Sequence, residues 1–138
     1  MALKLANGLR NARLDAITTF VAAGALLRIY SGSQPGTGGG SVAGNTQLAQ
    51  LTCNSTFAGA AANGQLTLNA ISPATSANAT GVATFMRLVK SDGTTFVWDG
   101  TCSTVAAGTG DLRLDDTSIV LGGTVAISSA VLTEGNAP

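Results

Sequence analysis

Residues 85–98 read FMRLVKSDGTTFVW, and they contain the clearest structural signal in the chain. Asp92-Gly93 readily adopts the positive φ angles that a tight turn needs. The runs on either side of it alternate in the way that half-buried strands do. The stretch therefore predicts an antiparallel β-hairpin whose turn lies at Ser91-Asp92-Gly93.

The same alternating pattern recurs on both sides of this hairpin. A second hairpin is predicted at Gly122-Gly123, between IVL at 119–121 and VAI at 125–127. Short strands with no helix between them favour a mainly β fold, an antiparallel β-sandwich or jelly roll, over any parallel α/β fold. We expect one domain over residues 1–138. The predicted strands cover 26–31, 47–53, 65–71, 82–90, 95–101, 111–114, 118–121 and 124–133.

One N-terminal amphipathic helix is predicted ahead of the strands, over about residues 8–23. Asn7 is its expected N-cap and Gly24 its expected left-handed C-terminal residue. We expect the helix to pack across an open end of the sandwich. Its predicted buried face consists of apolar residues at three- and four-residue steps, namely Leu9, Ala12, Ala16, Ile17, Phe20 and Val21.

The stretch 32–45 predicts a long, flexible, glycine-rich loop. It has too little apolar content to pack and too much backbone freedom to order alone. We expect it to become ordered through contacts with neighbouring chains. The candidate interface residues in and beside it are Gly36, Gly38, Gly39, Gly40, Tyr30 and Gln34.

The charge composition limits the partners. Net charge is zero, with seven Lys plus Arg against seven Asp plus Glu, so the electrostatic basis of nucleic-acid binding is missing. No apolar run is long enough to predict a transmembrane helix, and no membrane partner is expected. Only 10% of the residues are charged, against about 25% in ordinary soluble domains. So little surface charge favours self-association, which we expect to produce a two-fold homodimer.

The residue types argue against an enzyme. No histidine is present, which removes the usual activation of serine and cysteine nucleophiles. Asp111 and Asp115 would lie about 13 Å apart on an extended strand, too far to share one Ca²⁺. The glycine-rich loop is followed by no helix that could receive a phosphate. We therefore predict no catalytic, metal or cofactor-binding residues, and we assign Trp98, Phe85, Phe96 and Tyr30 to the core or an interface. Cys53 and Cys102 are expected to be free thiols.

A family resemblance adds a specific expectation. NGLRN at 7–11, LLRIYSGSQP at 26–35, GVATFMR at 81–87, the Asp92-Gly93 turn and TSIVLGGTV at 117–125 resemble the capsid cement, or decoration, proteins of tailed bacteriophages, of the Bordetella phage type. The resemblance spans nearly the whole chain. It implies a jelly-roll fold, dimers, and attachment to the major capsid protein of an HK97-like shell, on the capsid exterior after synthesis in the host cytoplasm. It implies no catalytic residues.

Two functions remain open on the sequence alone. The first is a structural virion protein that stabilises a phage capsid shell by bridging neighbouring major capsid proteins. The alternative is a tail- or fibre-associated binding module that contacts host glycan.

Overall fold

The predicted hairpin lies in the middle of the main sheet of the computed structural model, which describes residues 3–134. Gly93 has a φ of 74°, and its amide donates to the Lys90 carbonyl at 2.9 Å, which closes the turn. The helix α1 covers Asn7–Val21. The strands are β1 (Leu26–Ser31), β2 (Thr46–Thr52), β3 (Gln65–Thr67), β4 (Gly81–Val82), β5 (Phe85–Val89), β6 (Phe96–Thr104), β7 (Leu112–Leu114), β8 (Ser118–Ile119) and β9 (Val131–Thr133).

The strands form one five-stranded sheet and two short ribbons. The sheet has the order β2-β1-β5-β6-β7, and the ribbons pair β3 with β9 and β4 with β8. All pairs are antiparallel except β6 with β7, which run parallel. One hydrophobic cluster joins the inner face of the sheet to the ribbon residues and the helix. The predicted mainly β sandwich with one N-terminal helix is confirmed.

The second predicted hairpin is wrong, although its turn exists. Gly122 has a φ of 79°, and the Gly123 amide donates to the Val120 carbonyl at 2.8 Å. The two arms then take different partners, since Ile119 pairs with Gly81 and Val125 bridges to Ala74. A glycine pair specifies a change of direction, but the strand that each arm joins is decided by long-range packing.

The helix is shorter than predicted and buries a different face. It ends at Val21, because Ala22 already has a φ of 60°, and Asn7 is its first residue rather than its cap. Gly24 has the expected left-handed conformation, with φ at 68°. The side chains that enter or approach the core are Leu14, Ile17 and Val21, at i, i+3 and i+7.

Most of the predicted buried helix face is in fact exposed. Leu9 is 52% exposed and Phe20 51%, and Ala12 and Ala16 are exposed as well. The sequence prediction therefore found a true apolar stripe but assigned it to the core. Hydrogen bonds hold α1 beside residues 61–64, because Asp15 Oδ1 accepts from the Ala61 amide and Asn11 Oδ1 accepts from the Gly64 amide. In this position Leu14 belongs to the core cluster.

Candidate interaction surfaces

A buried ion pair lies on the outer face of the sheet. Arg87 and Asp99 face each other in the β5–β6 register, and the side chains are only 10% and 4% exposed. Arg87 Nε donates to Asp99 Oδ1 at 2.6 Å and Nη2 donates to Oδ2 at 2.8 Å, a bidentate arrangement. This carboxylate raises the pKa of the Arg87 guanidinium above its usual value. Arg87 therefore stays charged, and its charge is balanced by the Asp99 carboxylate.

The glycine-rich loop covers this ion pair. Arg87 Nη2 also donates to the Gly40 carbonyl at 2.8 Å, and its guanidinium carbon lies 5.3 Å from the centre of the Phe96 ring. Gly39 has a φ of 76°, and a Cβ there would lie 3.3 Å from that ring. The loop can lie flat on Phe96 because it carries no side chain at this point.

The ends of the loop are also bound to the chain itself. Asn45 Nδ2 donates to the carbonyls of Ser31 and Ser33, at 3.2 and 2.9 Å. Thr84 Oγ1 donates to the Gly32 carbonyl at 2.6 Å. Contacts within the chain therefore position the loop. The sequence predicted the loop but not these contacts. Its flexibility in solution stays a prediction.

The structure separates the candidate interface residues into two groups. Gln34, Gly36, Gly38 and Gly39 are exposed and Gly40 is half-buried, so these residues form an accessible strip along the loop. Tyr30 is only 4% exposed, stacked on Phe85 with ring centres 5.0 Å apart, and its hydroxyl donates to Gln47 Oε1 at 3.3 Å. Tyr30 thus supports the surface from beneath and does not present its ring to a partner.

Arg87 and Asp99 were not among the residues predicted from the sequence to form an interface or a site. A partial signal was present, because Arg87 interrupts the apolar run FMRLV and the Asp92-Gly93 turn pairs its strand with the one that carries Asp99. Cross-strand pairs of opposite charge are a recognised unit of sheet stabilisation. Counting the register from the turn would have placed Arg87 opposite Trp98, because an irregularity between Leu88 and Val89 shifts the pairing by one residue. The pair therefore could not be found from the turn alone.

Two apolar surfaces are exposed in the part of the chain that the structure describes. The first, the apolar helix face, consists of Leu9, Ala12, Ala16 and Phe20 on α1. The second, the ribbon patch, consists of Val82, Val120 and Leu121 at the β4–β8 ribbon, which are 55%, 63% and 63% exposed. Among residues 3–134, no third strand pairs with the β4–β8 ribbon.

The acidic residues do not gather into a metal site. Asp111 Oδ2 accepts hydrogen bonds from the amide and hydroxyl of Thr101, at 2.9 and 3.0 Å, which fixes the return from β6 to β7. Asp116 Oδ1 accepts from the Ser118 amide at 2.8 Å. Within residues 3–134, no group of three metal-ligating side chains occurs.

The two cysteines are unbonded and poorly reactive. Burial raises the pKa of Cys53 to about 11. Burial, with a smaller contribution from the Asp111 charge, raises the pKa of Cys102 to about 12. Neither thiol is activated as a nucleophile, because both stay protonated near neutral pH.

A groove of about 730 Å³ opens between the inner sheet face and the C-terminal segment. Trp98, Met86 and Leu112 line one side, and Ile127 and Leu132 line the other. Trp98 also makes an edge contact with Phe57, with ring centres 6.2 Å apart. The groove is mostly apolar, and its polar lining includes Asp111 and Arg113.

Comparison of the chain with protein-family models, with curated proteins and with solved structures finds no match. No helix among the described residues is long and apolar enough to cross a membrane.

Proposed function

We propose that this chain is a structural virion protein that binds an HK97-like phage capsid shell and stabilises it by bridging neighbouring major capsid proteins. The observation that carries the proposal is the combination of little surface charge with two exposed apolar surfaces, the apolar helix face and the ribbon patch. Surfaces of this kind mark binding to other proteins. The sequence resemblance to capsid cement proteins supplies the identity of the partner.

The stabilisation follows from mass action. A protein that binds the assembled shell but not free subunits lowers the free energy of the assembled state by an amount that grows with its concentration over its dissociation constant. Each copy need contribute only a few kcal/mol, because a shell offers many equivalent sites. The exposed strip of the glycine-rich loop would supply backbone hydrogen bonds to the shell.

The test compares particles with and without this protein. Both samples are heated in steps, and genome release is recorded by a dye that binds DNA. Particles that carry the protein should release DNA at a higher temperature, and adding purified protein to depleted particles should restore that temperature. Superimposable release curves at full occupancy would remove the proposal.

A tail- or fibre-associated module that contacts host glycan is the second candidate. The groove favours it, because Trp98 lines the groove together with the carboxylate-bearing Asp111, and sugar sites combine an aromatic face with a few polar groups. The copy number in the particle separates the two functions. A number comparable with that of the major capsid protein supports the cement function, and a few copies per particle support the tail module.

A further inference from the structure

The apolar helix face repeats a large, small, small, large pattern along α1. Leu9 and Phe20 lie at its two ends and are about half exposed, with Ala12 and Ala16 between them. Steps of three, four and four residues keep all four side chains on one side of the helix. The opposite side is already used, since Leu14 and Val21 are buried in the core.

We infer that this face binds the same face of a second copy of the chain, with the two helices antiparallel about a two-fold axis. The inference rests on the self-association that the low charge content predicts, and it assigns that self-association a surface. The pattern of the face is nearly symmetric about its middle. A two-fold axis there places Leu9 against the partner's Phe20 and Ala12 against the partner's Ala16. The two alanines let the helix backbones approach closely, while the large residues close both ends.

The charges around the face permit contact with an identical face. Arg13 binds Glu134 at 2.7 Å, and Asp15 Oδ1 accepts from the Ala61 amide at 2.7 Å, so both are committed to their own chain. Lys90 Nζ lies 4.0 Å from the centre of the Phe20 ring and leaves half of that residue exposed. The Lys90 charge lies at the Phe20 end of the face, so a two-fold axis at the middle places the two copies of this charge at opposite ends of the interface. Antiparallel packing also sets the two helix dipoles in the favourable orientation.

The size of the face sets the strength of the pairing. A helix of 15 residues is about 22 Å long and, with its side chains, about 10 Å wide. Its projected face, on the order of 200 Å², is well below the roughly 800 Å² that each partner buries in a standard interface. An interface this small predicts weak pairing in dilute solution. It tightens where many copies are held close together on one surface.

Two measurements on the purified, full-length protein test this pairing. In sedimentation equilibrium, the wild type should show a concentration-dependent dimer, and Ala16→Glu should raise its dissociation constant at least tenfold by placing a charge in the middle of the face. Val105→Glu is the matched control, because Val105 is 56% exposed and lies outside the helix; it should dimerise like the wild type. Circular dichroism should be unchanged in both variants.

The second measurement reports the orientation. Ala12→Cys and Ala16→Cys are purified separately, mixed and oxidised, and the disulfides are mapped by mass spectrometry. The antiparallel pair predicts that links between positions 12 and 16 dominate. The native thiols should contribute little, because burial raises the pKa of Cys53 and of the half-buried Cys102. Dominant links between two copies of position 12, or between two copies of position 16, would overturn the antiparallel arrangement. A wild-type protein that stays monomeric at about 1 mM would overturn the pairing altogether.

These outcomes are independent of the test on particles. Particles protected normally by a protein that does not pair through α1 would remove this inference alone. Normal pairing with no protection of particles would remove the cement function alone.

Discussion

Arg87 brings a charge into a strand whose other side chains are apolar and buried. Every residue of β5 is buried, and the Arg87 guanidinium satisfies three acceptors, the two oxygens of Asp99 and the carbonyl of Gly40. Burial of an ion pair costs desolvation free energy that the pair's attraction only roughly offsets. The pair therefore contributes chiefly by fixing the hairpin register and the position of the loop. Removal of either side chain would leave the charge of the other buried without a partner.

Arg87→Met should consequently destabilise the protein by about 3 kcal/mol, because it leaves the Asp99 carboxylate buried without its partner. Urea unfolding followed by tryptophan fluorescence measures the change. Arg113→Met is the control, since Arg113 is exposed on β7, and it should change stability by less than about 0.5 kcal/mol. The double variant Arg87→Met with Asp99→Leu should recover much of the loss. A single variant as stable as wild type would show that the pair is not fixed in solution.

Asp92 gives the hairpin turn a pH dependence. Its carboxylate accepts hydrogen bonds from the Thr95 hydroxyl and from the amides of Thr94 and Thr95, which lower its pKa from 3.8 to about 2. A depressed folded-state pKa means stabilisation that is complete above the unfolded pKa near 3.8 and is lost as the pH falls towards 2. Asp92→Asn should therefore be less stable than wild type at pH 7, and the difference should shrink between about pH 4 and about pH 2. A difference that does not vary with pH would contradict this role of the carboxylate.

At the scale of elements, the glycine-rich loop is held by few contacts. Gly38 and Gly39 lie on Phe96, Arg87 binds the Gly40 carbonyl, and Asn45 ties the far end to β1. Five of its residues, from 36 to 44, are glycines that lose much backbone entropy when ordered. The loop should open far more readily than the strands beneath it.

A non-specific protease should thus cut native protein first within residues 32–45. Phe96→Ala should speed that first cut several-fold, because it removes the ring on which Gly38 and Gly39 rest. Mass spectrometry of early fragments maps the site, and Val131→Ala, a change at an exposed residue of β9, serves as the control. First cuts elsewhere in the chain, or equal rates in the two variants, would contradict a loop held mainly by Phe96.

Local sequence signals predicted those elements that depend on neighbouring residues alone. The Asp92-Gly93 hairpin and β1 were predicted well because their turn and alternation lie in a short stretch. The predicted strand at 82–90 is split into β4 and β5, which join different sheets, and most of 124–133 forms no strand. Those outcomes depend on which distant segment supplies hydrogen bonds, and one sequence does not encode that in any local window.

The helix shows the same limit for the candidate surfaces. Periodicity identified the stripe of Leu9, Ala12, Ala16 and Phe20, yet it did not show that Leu14 and Val21 provide a second, competing face. The helix α1 has two apolar sides, and the chain buries the side that carries Leu14 and Val21. The side that carries Leu9 and Phe20 stays exposed. The sequence predicted a protein that associates with others, but the tertiary packing shows which apolar side of the helix stays exposed.

At the scale of the whole molecule, most charges are already used within the chain. Most charged side chains in residues 3–134 form a hydrogen bond, an ion pair or a cation–π contact within the chain. The exceptions among these residues are Lys4, Arg113 and Asp115. The exposed surfaces that remain for partners are the apolar helix face, the ribbon patch and the glycine-rich strip. Binding through these surfaces depends on apolar burial and backbone hydrogen bonds rather than on attraction between charges.

Attachment to particles should consequently be almost independent of salt. Raising NaCl from about 50 to about 500 mM shortens the range of electrostatic interactions severalfold, yet the dissociation constant should change by less than about twofold. Sodium sulfate at the same ionic strength should tighten binding, because sulfate is excluded from protein surfaces and favours apolar burial. Occupancy on depleted particles is measured by quantitative gel analysis after pelleting. Lysozyme, a basic protein that attaches to acidic surfaces through charge, is the control, and any attachment of lysozyme should weaken with NaCl. A tenfold loss of affinity for this chain over the same range would show that the few free charges dominate its binding, and the apolar surfaces would then lose their assigned role.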